Sequence, residues 1–253
     1  MYINGRNGVL EAIRAGERVE KVYFVYGLEG EGAAAVKKAA KEAGIPCTTI
    51  DRDRFRQLER KARLKTRSQG IIAWINPIFY VDVEDIVTLA FEQGQAPLLV
   101  ALDDITDPRN IGAVIRSAEC AGLHGLLLSK RNSPGINDVV VKTSAGAAHF
   151  LPVAREDSLV PMLRRMQQSG LTVIGLDERG EEEYAEINFT EPTVMVFGNE
   201  GKGLSRDVAK VCDKFVSIPM QGKIPSLNVS VAAGVVFFEA QRQRLLQKRK
   251  ESR

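Results

Sequence analysis

Short apolar segments recur along the second half of the chain, at residues 98–102, 125–128, 172–176, 193–197 and 215–218. A continuous apolar run such as 98–102 suits a strand that is buried on both faces, which is typical of parallel sheets. Helical periodicity lies between most of these segments. The sequence therefore predicts an α/β domain built on a mostly parallel sheet.

The first 74 residues predict a smaller α/β unit of their own. Its predicted strands are 19–25, 46–50 and 70–75, and its predicted helices are 9–15, 32–43 and 53–61. Asn76-Pro77 interrupts this pattern, so we expect a linker over 75–82 and a helix over 83–93. The expected organisation is a small domain, 1–74, followed by a larger domain, 83–253.

Positive charge is concentrated in the first unit. Residues 1–74 hold 15 Lys and Arg against nine Asp and Glu, a net charge of +6, whereas the remainder of the chain carries −3. The densest basic stretch is 52–67. Such a stretch is either a surface that binds phosphates or a solvated helix face.

Several classes of protein are disfavoured by the sequence. No segment approaches the roughly 18 consecutive apolar residues of a membrane span, and the first ten residues do not resemble a signal peptide, so we expect a cytoplasmic protein with no membrane partner. Cys47, Cys120 and Cys212 are far apart and are expected to be buried thiols. With His124 and His149 as the only histidines, zinc chemistry and a Ser-His-Asp triad are poorly supported, which leaves open a single His that serves a Cys or Ser nucleophile.

The first motif follows the strand 98–102. Asp107 is a candidate N-cap for a helix, on which Arg109 and Arg116, seven residues apart, share one face. Arginines at the carboxyl end of a parallel strand suit phosphate contact. The alternative is that they are surface residues paired with Glu119 or Asp104.

The second motif is the glycine-rich segment 198–203, which directly follows the strand 193–197. Its three glycines permit positive φ angles and close approach of the backbone to a ligand. The spacing matches neither a dinucleotide-binding loop nor a P-loop. The segment is either a ligand-binding loop or a flexible turn.

The third motif runs from Ile218-Pro219-Met220 through a loop to Ser226-Leu227-Asn228 and a helix over 229–243. Ser226 or Asn228 is suited to cap that helix. A capped helix N-terminus also directs N–H groups at a bound anion.

Together these three motifs resemble the SpoU, or TrmH, family of RNA ribose 2′-O-methyltransferases. The matching residues are Asp107-Pro108-Arg109-Asn110-Ile111-Gly112 with Arg116-Ser117-Ala118, Phe197-Gly198-Asn199-Glu200-Gly201 with Gly203-Leu204, and Ile218-Pro219-Met220 with Ser226-Leu227-Asn228-Val229-Ser230-Val231-Ala232. They occur in the order and at the separation usual in that family.

The beginning of the chain resembles the long-form members, which carry an added ribosomal-protein-like RNA-binding domain. Gly5-Arg6-Asn7 with Val9-Leu10-Glu11 resembles their opening, and Gln69-Gly70 also fits. Gly8 stands where many members have Pro, Arg67-Ser68 precedes Gln69 where His is common, and Pro225 is unusual before Ser226. The first two departures lie in the domain that selects the RNA, so they leave the exact target open.

The resemblance implies a SPOUT-type parallel-sheet domain with a trefoil knot, a homodimer whose active sites draw on both subunits, and S-adenosylmethionine as cofactor. It implies cofactor binding by Phe197, Gly198, Asn199, Glu200, Gly201, Ile218, Met220, Leu227 and Asn228. Arg116 is the implied catalytic residue, with Asn110, Glu200, Ser226 and Asn228 shaping the pocket. The expected RNA-binding residues are Arg6, Asn7, Arg63, Lys65, Arg67, Arg109 and Arg116, and no metal is required.

The opening motif favours a guanosine of large-subunit (23S) rRNA as the target. A tRNA guanosine and an antibiotic-binding loop of rRNA are the alternatives within the family. A protein that binds RNA without catalysis is the alternative outside it, and the intact Asn110, Arg116, Glu200 and Asn228 argue against that reading.

Overall fold

The structure is a computed structural model that describes residues 2–62, 64, 67–75 and 78–251. The chain divides into two compact units, Met1–Pro77 and Ile78–Arg253. The expected linker 75–82 includes residues 76 and 77, which lie outside the described residues.

The first unit is built on a four-stranded sheet. Its strands are β1 (Tyr2–Asn4), β2 (Val19–Val25), β3 (Cys47–Ile50) and β4 (Ile71–Ile75), and its helices are α1 (Arg6–Arg14), α2 (Glu31–Glu42) and α3 (Arg52–Ala62). The strand order is β1-β4-β2-β3; β2 and β3 are parallel, and β4 is antiparallel to both of its neighbours. Helix α2 buries Ala33, Val36 and Ala40, which recur at helical spacing, in the core of this unit.

The second unit contains a seven-stranded sheet in which every pair is parallel. Its strands are β5 (Leu98–Leu102), β6 (Gly125–Ser129), β7 (Val153–Glu156), β8 (Thr172–Leu176), β9 (Glu182–Glu183), β10 (Thr193–Phe197) and β11 (Lys214–Ser217). Their order is β7-β6-β5-β10-β8-β11-β9. The predicted parallel α/β architecture is therefore confirmed.

The position of β5 inside the sheet explains why its sequence is apolar at every position. Leu98, Val100 and Leu102 point into one hydrophobic core, while Leu99 and Ala101 point into a second core on the opposite face. All five residues are buried, so neither face of the strand has a polar side.

Helices cover both faces of this sheet. They are α4 (Val83–Glu92), α5 (Pro108–Cys120), α6 (Asp138–Thr143), α7 (Leu159–Gln168), α8 (Arg206–Ala209) and α9 (Val229–Glu251). Helices α5 and α9 pack side by side on one core, where a Cβ on Gly234 would lie 3.8 Å from Ser117 Oγ. The Phe237 ring of α9 meets the Phe197 ring edge-on, at 5.7 Å between centroids.

Three neighbouring strands end at the same level of the sheet. Phe197 of β10 is in register with Leu102 of β5 and with Leu176 of β8. The segments that follow these strands therefore converge at one edge, where α/β proteins usually bind ligands.

Some sequence-based expectations need correction. Cys47 and Cys120 are exposed and Cys212 is partly buried, so the prediction of three buried thiols is wrong. Cys47 lies on the edge strand β3 and Cys120 is the last residue of α5, so neither position is enclosed. Across the described residues, no helix is long and apolar enough to cross a membrane, and no group of three or more His, Cys, Asp or Glu is arranged to hold a metal.

Candidate active site

Three side chains from distant parts of the second unit meet at the carboxyl edge of its sheet. Glu200 Oε1 accepts hydrogen bonds from Asn110 Nδ2 at 2.8 Å and from Asn228 Nδ2 at 2.5 Å. Asn228 Nδ2 also lies 3.2 Å from Asn110 Oδ1, and Val229 N donates to Glu200 Oε1 at 3.4 Å. All three residues were singled out from the sequence, and the structure brings them together.

Helix ends place two members of this network. Asp107 caps α5, because its Oδ1 accepts from Arg109 N at 2.8 Å, and this fixes Asn110 in the first turn. Asn228 caps α9, because its Oδ1 accepts from Ser230 N at 2.9 Å. Asn228 thus performs the capping role predicted as an alternative and also joins the network through its amide group.

The loop that carries Glu200 is held in a tight bend. Asn199 and Gly203 exchange two backbone hydrogen bonds, at 3.0 and 2.8 Å. A Cβ on Gly198 would lie 2.3 Å from the Gly203 carbonyl carbon, so this position has no room for a side chain. Gly203 itself has a φ of +67°, which favours glycine. The segment therefore folds into a defined bend in which these glycines are required by space or by backbone angle.

Asp103 and Asp104 anchor this loop to the end of β5. The buried Asp103 carboxylate accepts from Ser205 N at 2.7 Å, and Asn199 Nδ2 donates to the Asp104 carbonyl at 3.0 Å. Burial raises the pKa of Asp103 above its ordinary value. Asp103 was not among the residues predicted from the sequence, although its position directly after a buried strand was a usable signal.

A cavity of about 500 Å³ opens beside the loop. Its lining includes nine residues expected from the sequence: Phe197, Gly198, Asn199, Glu200, Gly201, Ile218, Met220, Ser226 and Leu227. Asn228 does not line the cavity but contacts Glu200, which does.

The cavity also contains an ion pair that the sequence analysis missed. Asp177 and Arg179 follow β8, and Arg179 donates to both Asp177 oxygens, from Nε at 2.8 Å and from Nη2 at 2.9 Å. These hydrogen bonds hold the pKa of Asp177 below its ordinary value. Like Asp103, Asp177 directly follows a buried strand, so the same signal would have found it.

Two of the arginines expected to contact RNA lie on α5 of the second unit. Arg109 and Arg116 are exposed on α5, and neither is among the residues that line the cavity in the described part of the chain. In the first unit, Asn7 and Arg67 are exposed and Arg6 is partly buried. Arg63 and Lys65 lie outside the described residues.

The cavity fits a small organic cofactor in size and in chemistry. Its volume is in the usual range of about 300–1,000 Å³ for such sites. Apolar side chains, among them Leu176, Phe197 and Ile218, line part of the cavity, and charged residues, polar residues and glycines line the rest. This mixture suits a ligand that has both an aromatic ring system and charged groups.

Comparison with known sequences decides the family. The SpoU rRNA Methylase family model matches residues 97–238, which include the whole network and the cavity loop. The chain belongs to this family. A second model, for the RNA 2′-O ribose methyltransferase substrate-binding domain, matches residues 2–81 of this SpoU family member.

Relatives agree over nearly the full length. A putative TrmH family tRNA/rRNA methyltransferase of Bacillus subtilis is 32% identical over 243 residues, covering 96% of each chain. An uncharacterized tRNA/rRNA methyltransferase of Mycobacterium ulcerans is 42% identical over 242 residues, covering 95% of this chain and 76% of its own.

Solved structures show the same fold. The SpoU methyltransferase AviRb from Streptomyces viridochromogenes, crystallised with S-adenosylmethionine, covers 97% of this chain and 91% of its own at a TM-score of 0.62 and 26% identity. The TrmH/SpoU tRNA-modifying enzyme of A. aeolicus covers 65% of this chain and 85% of its own, at a TM-score of 0.57 and 28% identity. This SpoU family member is an S-adenosylmethionine-dependent RNA 2′-O-methyltransferase.

Proposed function

We propose that this SpoU family member methylates the ribose 2′-hydroxyl of a guanosine in large-subunit (23S) rRNA, and does so in the cytoplasm. The hydrogen-bonded network of Asn110, Glu200 and Asn228 beside the cavity carries the catalytic part of this proposal. The substrate-binding domain matched over residues 2–81 supports a large structured RNA as substrate. The tRNA-modifying enzyme of A. aeolicus aligns with only 65% of this chain, so an enzyme that acts on the smaller RNA aligns with less than the whole chain.

The cavity lining fits S-adenosylmethionine. The cofactor would be held largely through backbone groups that the tight bend at Gly198 presents. The residues proposed to hold it are Phe197 to Gly201, Ile218, Met220 and Leu227. When bound, the cofactor supplies a methyl group that is already activated by the positive charge on sulfur. The protein therefore has to align the attacking oxygen, and alignment contributes roughly 7–11 kcal/mol in favourable systems.

Glu200, Asn110 and Asn228 serve this alignment by fixing the loop. Because one carboxylate oxygen accepts from two side chains and one backbone N–H, the loop is tied to the starts of both α5 and α9. Ser226 lines the same cavity and is assigned to pocket shape. None of these groups needs to change protonation for this role.

Arg116 is proposed to position the ribose and its adjoining phosphate. Its guanidinium stays protonated and offers a fork of donors to phosphate oxygens and to negative charge developing on the 2′-oxygen. The proton would pass to water or to an RNA phosphate. His124 does not compete for this role, because its Nδ1 accepts from Leu98 N at the opposite end of β5.

A homodimer would complete the site. Arg116 is exposed and outside the cavity lining, so a second copy of the chain is proposed to bring its own Arg116 to this cavity. Helix α9 supports an interface, because Val231, Phe238 and Leu245, seven residues apart, are exposed apolar side chains on one stripe. The interface would then be isologous.

Methyl transfer from radiolabelled S-adenosylmethionine to bacterial rRNA and tRNA, assayed separately, tests the substrate. Label at a position of large-subunit rRNA that resists alkaline cleavage is the expected result. Label in tRNA alone would favour the alternative that the enzyme methylates a tRNA guanosine, which the relatives' shared tRNA/rRNA name leaves open. Cofactor binding without label in either purified RNA would contradict free rRNA as substrate.

Mixing two inactive variants tests the shared site. Arg116→Ala and Glu200→Ala are each expected to be inactive, and subunits exchanged between them should recover about a quarter of wild-type activity, because half of the dimers then hold one intact site. No recovery after verified exchange would show that each site uses residues of a single subunit.

A further inference from the structure

Three segments of the first unit, two loops and the start of α1, meet at one end of its sheet, and we call residues 5–7, 26–30 and 67–70 the loop end. Gly5 N donates to Ile71 O at 3.0 Å, and Val25 N donates to Gly70 O at 3.0 Å. Arg6 N donates to Gln69 Oε1 at 3.2 Å. These hydrogen bonds tie the start of α1, the end of β2 and the start of β4 into one surface.

Tyr26 projects from this surface. Its backbone is fixed, because its N–H donates to Ile50 O at 2.8 Å, yet its side chain is 74% exposed. Among the described residues of the first unit, no other large hydrophobic side chain is exposed. A single exposed aromatic residue is ordinary on a protein surface, and its neighbours distinguish this one.

Cationic and polar groups share the loop end with Tyr26. The Arg6 side chain lies against the end of the segment 26–30 and the start of α2, since a Cβ on Gly30 would fall 3.9 Å from Arg6 Nη1 and one on Gly32 would fall 2.7 Å from Arg6 Cδ. Arg6 Nε is buried without a hydrogen-bond partner among the described residues. Asn7 and Arg67 are exposed. They lie on the segments 5–7 and 67–70, which the hydrogen bond from Arg6 N to Gln69 Oε1 joins.

We propose that the loop end binds an unpaired nucleotide of the RNA substrate, with the base stacked on Tyr26 and the flanking phosphates held by Arg6 and Arg67. This inference rests on the proposed function. Proteins read unpaired loop and bulge nucleotides by stacking bases on aromatic rings, and arginine forks suit phosphate oxygens. A fully paired helix offers no free base face to the ring, so the proposal selects looped RNA over duplex.

RNA binding by the full-length protein tests this proposal. The probes are a stem–loop with an adenosine-rich single-stranded loop and a fully paired duplex of the same stem. Tyr26→Ala should weaken the Kd for the stem–loop by about 5- to 100-fold and leave the duplex unchanged, while Tyr26→Phe stays within about twofold of wild type. Phe91→Ala, which removes a 49% exposed ring from α4, is the matched control and should change neither Kd.

Three results would overturn it: an unchanged Kd in Tyr26→Ala, an equal loss for both probes, or a change of oligomeric mass that accounts for the loss. The melting temperature confirms that the variant is folded. If the wild type methylates no RNA but Tyr26→Ala still loses stem–loop binding, the proposed function fails and this inference stands. If methylation is normal and Tyr26→Ala binds like wild type, only this inference fails.

Discussion

Glu200 is a single acceptor shared by three donors, which makes its carboxylate the most connected group of the site. Glu200→Ala should lower kcat for methyl transfer by roughly 10²-fold, because misplacing a reacting group by about 1 Å has that effect. Single-turnover assays with saturating RNA measure it. The matched control is Glu178→Ala, which removes another carboxylate from the same cavity, and activity should stay near wild type. Equal losses in both variants would show that cavity charge matters and the network does not.

His124 provides a second prediction, on stability. Burial, followed by the nearby Arg244, lowers its pKa from 6.5 to about 4. Between pH 6.5 and pH 4 the unfolded chain binds a proton at His124 that the folded chain does not. The contribution of His124 to the free energy of unfolding should therefore be fully present above pH 6.5 and should be lost as the pH falls toward 4. The expected loss is about 2 kcal/mol, reduced from the full shift because the ring is partly exposed.

Urea unfolding between pH 7 and pH 4 measures this dependence. His124→Asn keeps an acceptor for Leu98 N and should remove that part of the pH dependence. A variant as acid-sensitive as wild type would place the titrating group elsewhere.

Individual residues of the site were predictable where a motif names them, as with Asn110, Glu200 and Asn228. The positions of Asp103 and Asp177 directly after buried strands were a usable signal, but their partners were not predictable, because those contacts arise only in the folded sheet. Asp103 meets Ser205 across 102 positions of the chain, and no local pattern encodes that pairing.

At the scale of elements, the glycine-rich loop provides a direct test of packing. Gly198→Ala should weaken cofactor binding more than tenfold, because its Cβ would lie 2.3 Å from the Gly203 backbone and the loop must shift. Gly222→Ala is the matched control, since a Cβ there meets nothing within 4 Å. Isothermal titration with S-adenosylmethionine measures both variants. Tight binding by Gly198→Ala would mean that the bend does not shape the cofactor site.

Strands β5, β8 and β10 were predicted with their observed bounds, because central strands of a parallel sheet are buried on both faces and their sequences are mostly apolar. Strands β1, β7 and β9 were missed. They have only three, four and two residues, which is too short for an alternation of apolar and polar positions to appear. Helix α9 extends to Glu251, beyond the predicted end at 243. The sequence did not predict this extension because the last turns are largely exposed and carry no apolar stripe that faces a core.

At the scale of the whole molecule, the two units have separate hydrophobic cores. Deleting residues 1–77 should therefore leave a folded second unit that binds S-adenosylmethionine with wild-type affinity and methylates rRNA poorly. Calorimetry and the radiolabel assay measure the two properties. Undiminished methylation by the truncated chain would show that the first unit does not select the RNA.

The two-unit organisation was expected from the repeated strand–helix pattern and from its interruption at Asn76-Pro77. The trefoil knot stays a prediction from family resemblance, because strand order and periodicity carry no record of how a chain is threaded.

The network at the carboxyl edge has a consequence for how ligands act on one another. Asn110 and Glu200 are 90 positions apart, and Asn110 lies in the first turn of α5, the helix that carries Arg109 and Arg116. A cofactor that orders the Glu200 loop also orders the start of that helix, so RNA that binds afterwards loses less conformational entropy. Thermodynamic linkage then requires RNA to tighten cofactor binding by the same factor. The two substrates of this enzyme are therefore expected to bind with positive cooperativity, transmitted through one carboxylate oxygen.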